Sequence, residues 1–239
     1  MIDLHCHVLP ALDDGALDLE DSLAMARQAA EDGIEVVCAT PHIRDDHDVR
    51  PEEIPGRVAA LQAALGEHGI GVRIVPAAEL AQPRAEGLDE AQLRLATYGQ
   101  AGGWVLLEPA PGPLGDELQR LVQRLAAGGL RTVLAHPERH AGADLRERLR
   151  ALARAGALIQ WTAEFLAQSP PEGPVMALAR EGLVHVLGSD AHSSRAGRPV
   201  RLTGGFEWLA GALTPEQLEW SRRLAPAAVL GGEPLPERP

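Results

Sequence analysis

The chain has 239 residues, 45% of them hydrophobic, which is enough for one sizeable core, and residues 1–239 are read as a single domain. A formal charge of -12 and an aromatic content of 3% argue against a nucleic-acid binder, which needs clustered Lys and Arg or stacking aromatics. Two cysteines form no disulfide framework, and no apolar run or N-terminal signal pattern is visible, so a cytoplasmic protein without membrane insertion is expected.

The opening MIDLHCHVLP reads as a strand followed by a loop. Residues two apart in a strand share a face, so His5 and His7 stand together while Cys6 points away. The loop adds Asp13 and Asp14. Asp18 to Asp32 carries Leu19, Leu23, Ala26 and Ala30 at helical spacing, with Asp18 as cap and Gly33 as stop. EVVCATPH (35–42) is a second strand ending at His42, and VRIVPAAE (72–79) a third ending at Glu79. A long stretch follows, with a helix near Leu88 to Leu95. WVLLEP (104–109) brings Glu108 to the end of strand four, and a helix over Leu114–Ala127 presents Leu118, Leu121, Val122 and Leu125 on one face.

TVLAHPER (132–139) ends strand five with His136, followed by Arg139. A helix over Leu145–Ala155, the strand ALIQWTAE (157–164) and a helix over Val175–Glu181 come next. VHVLGSDAH (184–192) closes the series with Asp190 and His192, and Arg198 follows. Thr214 caps a helix with Pro215 at its first position, and the terminal GGEPLPERP reads as a frayed end.

Seven strands alternating with helices predict a parallel α/β barrel or, failing that, an open doubly wound sheet. In a parallel barrel all strand C-terminal ends lie on one face, where such enzymes build their sites. Six of the seven ends carry an imidazole or a carboxylate. Any one of these alone is an ordinary solvated charge or a hydrogen-bonded core histidine; together they point to a metal site. Mixed N and O donors suit Mn, Fe, Zn or Co better than Ca or Mg. They exceed what one ion needs, so two or three ions are expected, a device suited to phosphate-ester hydrolysis. Arg139 and Arg198 are placed to hold phosphate by paired donors. His47 and His68 read as solvated, His185 as an inner strand residue, and Cys6 and Cys38 as small core hydrophobes.

MIDLHCHVLPALDDG, ATPHI, AAEL, LLEP, AHPER and GSDAHSSRAGRP together resemble the PHP (polymerase and histidinol phosphatase) superfamily. More narrowly they are similar to the manganese-dependent tyrosine-protein phosphatases of bacterial capsule and exopolysaccharide operons. The resemblance implies a distorted (β/α)7 TIM-like barrel of PHP type with Mn²⁺ ions at its C-terminal face; Fe, Zn, Co or Mg are alternatives. It implies His5, His7, Glu79 and Asp190 on the first ion, Glu79, Glu108 and His136 on the second, and Asp14, His42 and His192 on the third. Asp13 stays open as a rival to Asp14. A metal-bound hydroxide is implied as nucleophile, with Arg139 and Arg198 as phosphate clamps and Asp190 or a metal-bound water as the source of what little acid help is needed. The implied substrate is a phosphotyrosine protein, the tail of a bacterial tyrosine kinase, and a homo-oligomer is compatible with this reading. Rivals are a histidinol-phosphate phosphatase or other PHP phosphoesterase, an amidohydrolase-like barrel, and a non-catalytic kinase-binding regulator. At the end of strand six, QWTAEF departs from the small polar residues usual there, which bears on substrate preference.

Overall fold

The computed structural model describes residues 1–140 and 142–239. Among the described residues nine short strands run parallel: β1 (Ile2–Cys6), β2 (Val36–Ala39), β3 (His42–Ile43), β4 (Arg73–Pro76), β5 (Glu79–Ala81), β6 (Trp104–Glu108), β7 (Arg131–Leu134), β8 (Leu158–Thr162) and β9 (Val186–Gly188). Two of the seven predicted strands are each broken in the middle. Thr40-Pro41 separates β2 from β3, and Ala77-Ala78 separates β4 from β5. Proline cannot donate to a ladder, which accounts for the first break.

The ladders join as β1-β2-β4 and as β3-β5-β6-β7-β8-β9. Across the breaks, Ala77 N donates to Ala39 O (3.0 Å) and Glu79 N to Pro41 O (3.0 Å). At the far edge Asp190 N donates to His5 O (2.8 Å) and His7 N to Ala191 O (2.9 Å), bringing the end of β9 back to β1. The result is an α/β fold with a strongly curled parallel sheet.

The helices are α1 (Leu19–Glu31), α2 (Ile54–Glu67), α3 (Glu90–Ala96), α4 (Asp116–Ala127), α5 (Leu145–Arg154), α6 (Ala163–Gln168), α7 (Pro174–Arg180), α8 (Thr203–Leu209), α9 (Pro215–Glu219) and α10 (Ala225–Gly231). Asp18 caps α1 through Asp21 N, and Thr214 and Gln217 form a capping box on α9, as their sequences predict. Helix α2 is absent from the sequence reading, because Pro55 and Gly56 stand at its start and its apolar residues form no sharp stripe.

Strand alternation sorts the core into two bodies. Val37, Ala39, Leu107 and Leu134 face the layer of helices. Val36, Cys38, Leu106 and Val133 face the concave side, where Tyr98, Trp104, Trp220 and Val229 fill the space. Both cysteines are buried, which pushes their thiols well above the usual range and suits inert packing rather than nucleophilic chemistry.

The tail is not frayed. The indoles of Trp104 and Trp220 donate to Glu233 O and Pro236 O, both at 2.9 Å. Arg238 donates to Gly182 O and Val184 O and lies over the Trp220 ring. Trp104, Trp220 and the acceptors of Arg238 all lie outside the segment, and the segment's own Pro- and Gly-rich composition hides these contacts. No helix among the described residues is long and apolar enough to cross a membrane.

His185 sits beside this tail, its Nδ1 accepting from Ile159 N at 2.8 Å. Burial, helped by Arg238, pushes its pKa down to about 3. In the unfolded chain it takes a proton near pH 6.5. Stability from the neutral ring is therefore complete above about 6.5 and is lost progressively as pH falls toward the folded value. His185→Asn keeps an acceptor and removes this titration. The dependence of melting temperature on pH between about 6 and 4 should flatten by about one proton; an unchanged slope would contradict the assignment.

Candidate metal centre

The predicted residues meet at the C-terminal ends of the strands, and Glu79 is their centre. Its Oε2 lies 3.2 Å from His5 Nε2, 3.3 Å from His7 Nε2 and 3.0 Å from His42 Nδ1. Its Oε1 lies 2.8 Å from His136 Nε2. The registers place it there: Glu79 stands opposite His42 on β3 and opposite Leu106 on β6, two residues before Glu108.

Donor atoms lie within 4.8 Å of one another in four overlapping groups: His7, Asp14, His42 and His192; His5, His7 and Asp190; His5, Glu79 and His136; His42, Glu79 and Glu108. Glu79 is fully buried, and burial alone would raise its pKa; His5, His136 and His7 reverse that and hold it well below the usual range. Glu108 goes the other way, raised first by burial and then by the charge on Glu79.

The hydrogen-bond inventory shows why cations suit this cluster. Glu79 Oε2, His42 Nδ1, His136 Nδ1 and Asp190 Oδ1 are buried and have no hydrogen-bond partner. Orphaned buried polar atoms are costly, and four in one cluster call for a ligand that takes lone pairs. Divalent cations fit that donor set. Two of the donors also sit on strained backbone, His136 at φ 29° and Asp190 at φ 50°. Non-glycine residues in the left-handed region persist where function or packing holds them.

A second layer fixes the imidazoles. His7 Nδ1 lies 2.7 Å from Asp13 Oδ2, which also accepts from His42 N at 2.9 Å. His5 Nδ1 lies 3.0 Å from Gln160 Oε1. Each contact fixes the proton on Nδ1 and leaves Nε2 facing Glu79. Asp13 and Asp14 take different places at the site. Asp14 lies 3.5 Å from both His42 Nε2 and His192 Nε2, whereas Asp13 braces His7 from behind. Burial pushes Asp13 upward, but His7 and the backbone donors hold its pKa at about 2.

Gly188, at the end of β9, lets His5 and Gln160 approach. A Cβ there would stand 2.6 Å from His5 Cβ and 2.8 Å from Gln160 Nε2. Gly188→Ala is expected to displace His5 and weaken divalent-cation binding by about 10–100-fold. Competition with a colorimetric chelator measures this, and an unchanged affinity would count against His5 as a donor.

Arg139 and Arg198 both reach Asp190 Oδ2, Arg198 at 3.0 Å. Arg198 Nε also donates to Asp190 O at 2.8 Å. The opposite oxygen, Oδ1, faces the imidazoles, 3.5 Å from His5 Nε2 and 3.8 Å from His7 Nε2. Asp190 therefore joins the donor cluster to the arginine pair.

Several residues at the site escape sequence reasoning. His47 is not free in solvent; its ring stacks on His42, centroids 5.4 Å apart and planes 6° apart. Arg44 lies 3.6 Å from Glu108 Oε2 and 3.9 Å from Asp14 Oδ2. Position alternation after His42 could have flagged Arg44, and a lone Gln within the apolar run ALIQWT could have flagged Gln160. Asp21 is buried under the loop that carries His192 and accepts from Ser193 Oγ, Ser194 N and Ser194 Oγ. Nothing local in the sequence marks that role.

A curled parallel sheet that gathers imidazoles and carboxylates at its strand ends, with arginines beside them, is the architecture of an α/β metalloenzyme. Residues 1–219 match the family described as Capsular polysaccharide synthesis, CpsB/CapC, and the chain belongs to that family. It is 32% identical over 200 residues to the tyrosine-protein phosphatase YwqE of Bacillus subtilis (strain 168), covering 81% of this chain and 78% of that protein. Identity to the tyrosine-protein phosphatase CpsB of Streptococcus agalactiae serotype V is 22% over 203 residues, covering 81% and 83%. The fold superposes on a chain from the crystal structures of YwqE from Bacillus subtilis and CpsB from Streptococcus pneumoniae, unique metal-dependent tyrosine phosphatases. That match has a TM-score of 0.83 at 27% identity and covers 100% of this chain and 98% of the other.

Proposed function

We propose that this protein hydrolyses protein phosphotyrosine with a cluster of two or three divalent cations, Mn²⁺ first among them. The observation that carries the reading is the convergence of three imidazole nitrogens on the buried, unpartnered Oε2 of Glu79. His5, His7, Glu79 and Asp190 would hold one ion, Glu79, Glu108 and His136 a second, and Asp14, His42 and His192 a third. Glu79 would serve both of the first two ions, with Oε1 beside His136 Nε2 at 2.8 Å and Oε2 left without a hydrogen-bond partner. The ring-like order of strand positions supports a distorted (β/α)7 barrel of PHP type as the scaffold.

Bound cations supply Lewis-acid neutralisation and an activated water. The chain's own residues do the rest. Asp13 and Gln160 keep the Nδ1 protons of His7 and His5 in place, so both rings offer Nε2. Arg139 and Arg198, pre-aimed by Asp190 Oδ2, take the non-bridging phosphoryl oxygens and stabilise charge there as phosphorus is attacked. Tyrosine leaves with a conjugate-acid pKa of about 10, so strong acid assistance is unnecessary. The family's description, capsular polysaccharide synthesis, and relatives named tyrosine-protein phosphatases support a phosphotyrosine protein as substrate and a role in polysaccharide synthesis. The reading takes the tail of a bacterial tyrosine kinase as that protein and the cytoplasm as the site of action.

The test compares phosphate release from a phosphotyrosine peptide and from histidinol phosphate, with and without added Mn²⁺. Mn²⁺-dependent preference for the peptide is expected. Preference for histidinol phosphate would move the protein to another phosphoesterase class. Binding of a phosphorylated kinase tail without turnover would make it a regulator.

A further inference from the structure

The end of β8 contributes nothing to the donor cluster. β8 ends at Thr162 and runs directly into α6, which presents Phe165. Here the structure has a cleft of about 450 Å³ lined by Glu138, Arg139, Thr162, Phe165, Gln168 and Arg198, among others. That volume lies in the range of small-ligand sites. The two guanidiniums that converge on Asp190 Oδ2 form one side of it.

Phe165 forms an apolar wall in the same cleft. It is 38% exposed, one of four exposed large hydrophobic side chains among the described residues. Its ring leans on the buried Trp161, centroids 6.0 Å apart and planes 30° apart, so it is held in place. Aromatic faces at such separations prefer another ring.

We propose that this cleft seats the aryl group of an aryl phosphomonoester, with Phe165 as the specificity-determining residue that stacks on the ring. The inference rests on the phosphatase reading above and narrows it. A phosphoryl group on Arg139 and Arg198 directs its ester substituent into the cleft. A tyrosyl ring fills the space against Phe165, whereas a short alkyl ester leaves that wall bare. The donor cluster and the arginine pair thus face the phosphoryl group, and the end of β8 reads what the phosphate is attached to.

The test uses two non-hydrolysable probes, phenylphosphonate and methylphosphonate, titrated calorimetrically into the Mn²⁺-loaded protein. The wild type should bind the phenyl compound roughly tenfold more tightly, the scale of one aromatic pair. Phe165→Ala should bring the ratio near one, and Phe165→Trp should keep it. In turnover of phenyl phosphate, Phe165→Ala should raise KM with kcat little changed. A ratio unaltered in Phe165→Ala, in a protein that still hydrolyses phosphotyrosine peptide, overturns this inference alone. A wild type that neither hydrolyses the peptide nor binds either phosphonate overturns the phosphatase reading, and this inference with it.

Discussion

Glu79→Gln is expected to lower kcat/KM on a phosphotyrosine peptide by about 10³-fold and to reduce the number of bound metal ions. The substitution keeps size and shape but removes the one carboxylate that touches His5, His7, His42 and His136 at once. Glutamine offers a single weak oxygen donor, so it cannot bridge two cations as a carboxylate does. The side chain is fully buried, and water will not substitute freely. Metal counting by mass spectrometry separates this from simple misfolding. A variant that keeps every ion and most of its activity would remove Glu79 from the centre of the site.

The second large effect is expected at the arginines. Arg139→Ala and Arg198→Ala should each lower kcat/KM by about 10²-fold, the scale of losing one aimed donor to a developing anion. Both guanidiniums are partly exposed, so stability should change by no more than about 1 kcal/mol. Lysine should recover little, because it lacks the planar fork that faces two oxygens together. Binding of inorganic phosphate to the Mn²⁺-loaded variants measures the same interaction without turnover. Phosphate affinity unchanged in both variants would place phosphate recognition elsewhere.

The convergence of these side chains was legible in the sequence because a parallel sheet carries its strand ends to one face. An apolar run ends, a His, Glu or Asp follows, and the topology carries every such end to one face, as with Glu79, Glu108 and His136. Helices with a sharp apolar stripe were legible for the same reason; α4 and α5 lie within two residues of their predicted bounds. What stayed hidden depends on tertiary contact. Asp13 and Asp14 are adjacent and alike, and only the fold turns one toward His7 and the other toward His42 and His192. The Asp21 anchor pairs residues more than 170 positions apart. The tail looked loose because its hydrogen-bonding partners, Trp104 and Trp220, lie outside it.

Metal content measured together with activity tests metal-dependent phosphotyrosine hydrolysis most directly. The protein, purified without a histidine tag, is assayed for bound metals by mass spectrometry and for phosphate release from a phosphotyrosine peptide, before and after exhaustive chelation and after Mn²⁺ is restored. Two to three ions per chain, activity lost with them and regained with Mn²⁺, is the predicted result. Full activity after the metals are gone would contradict it.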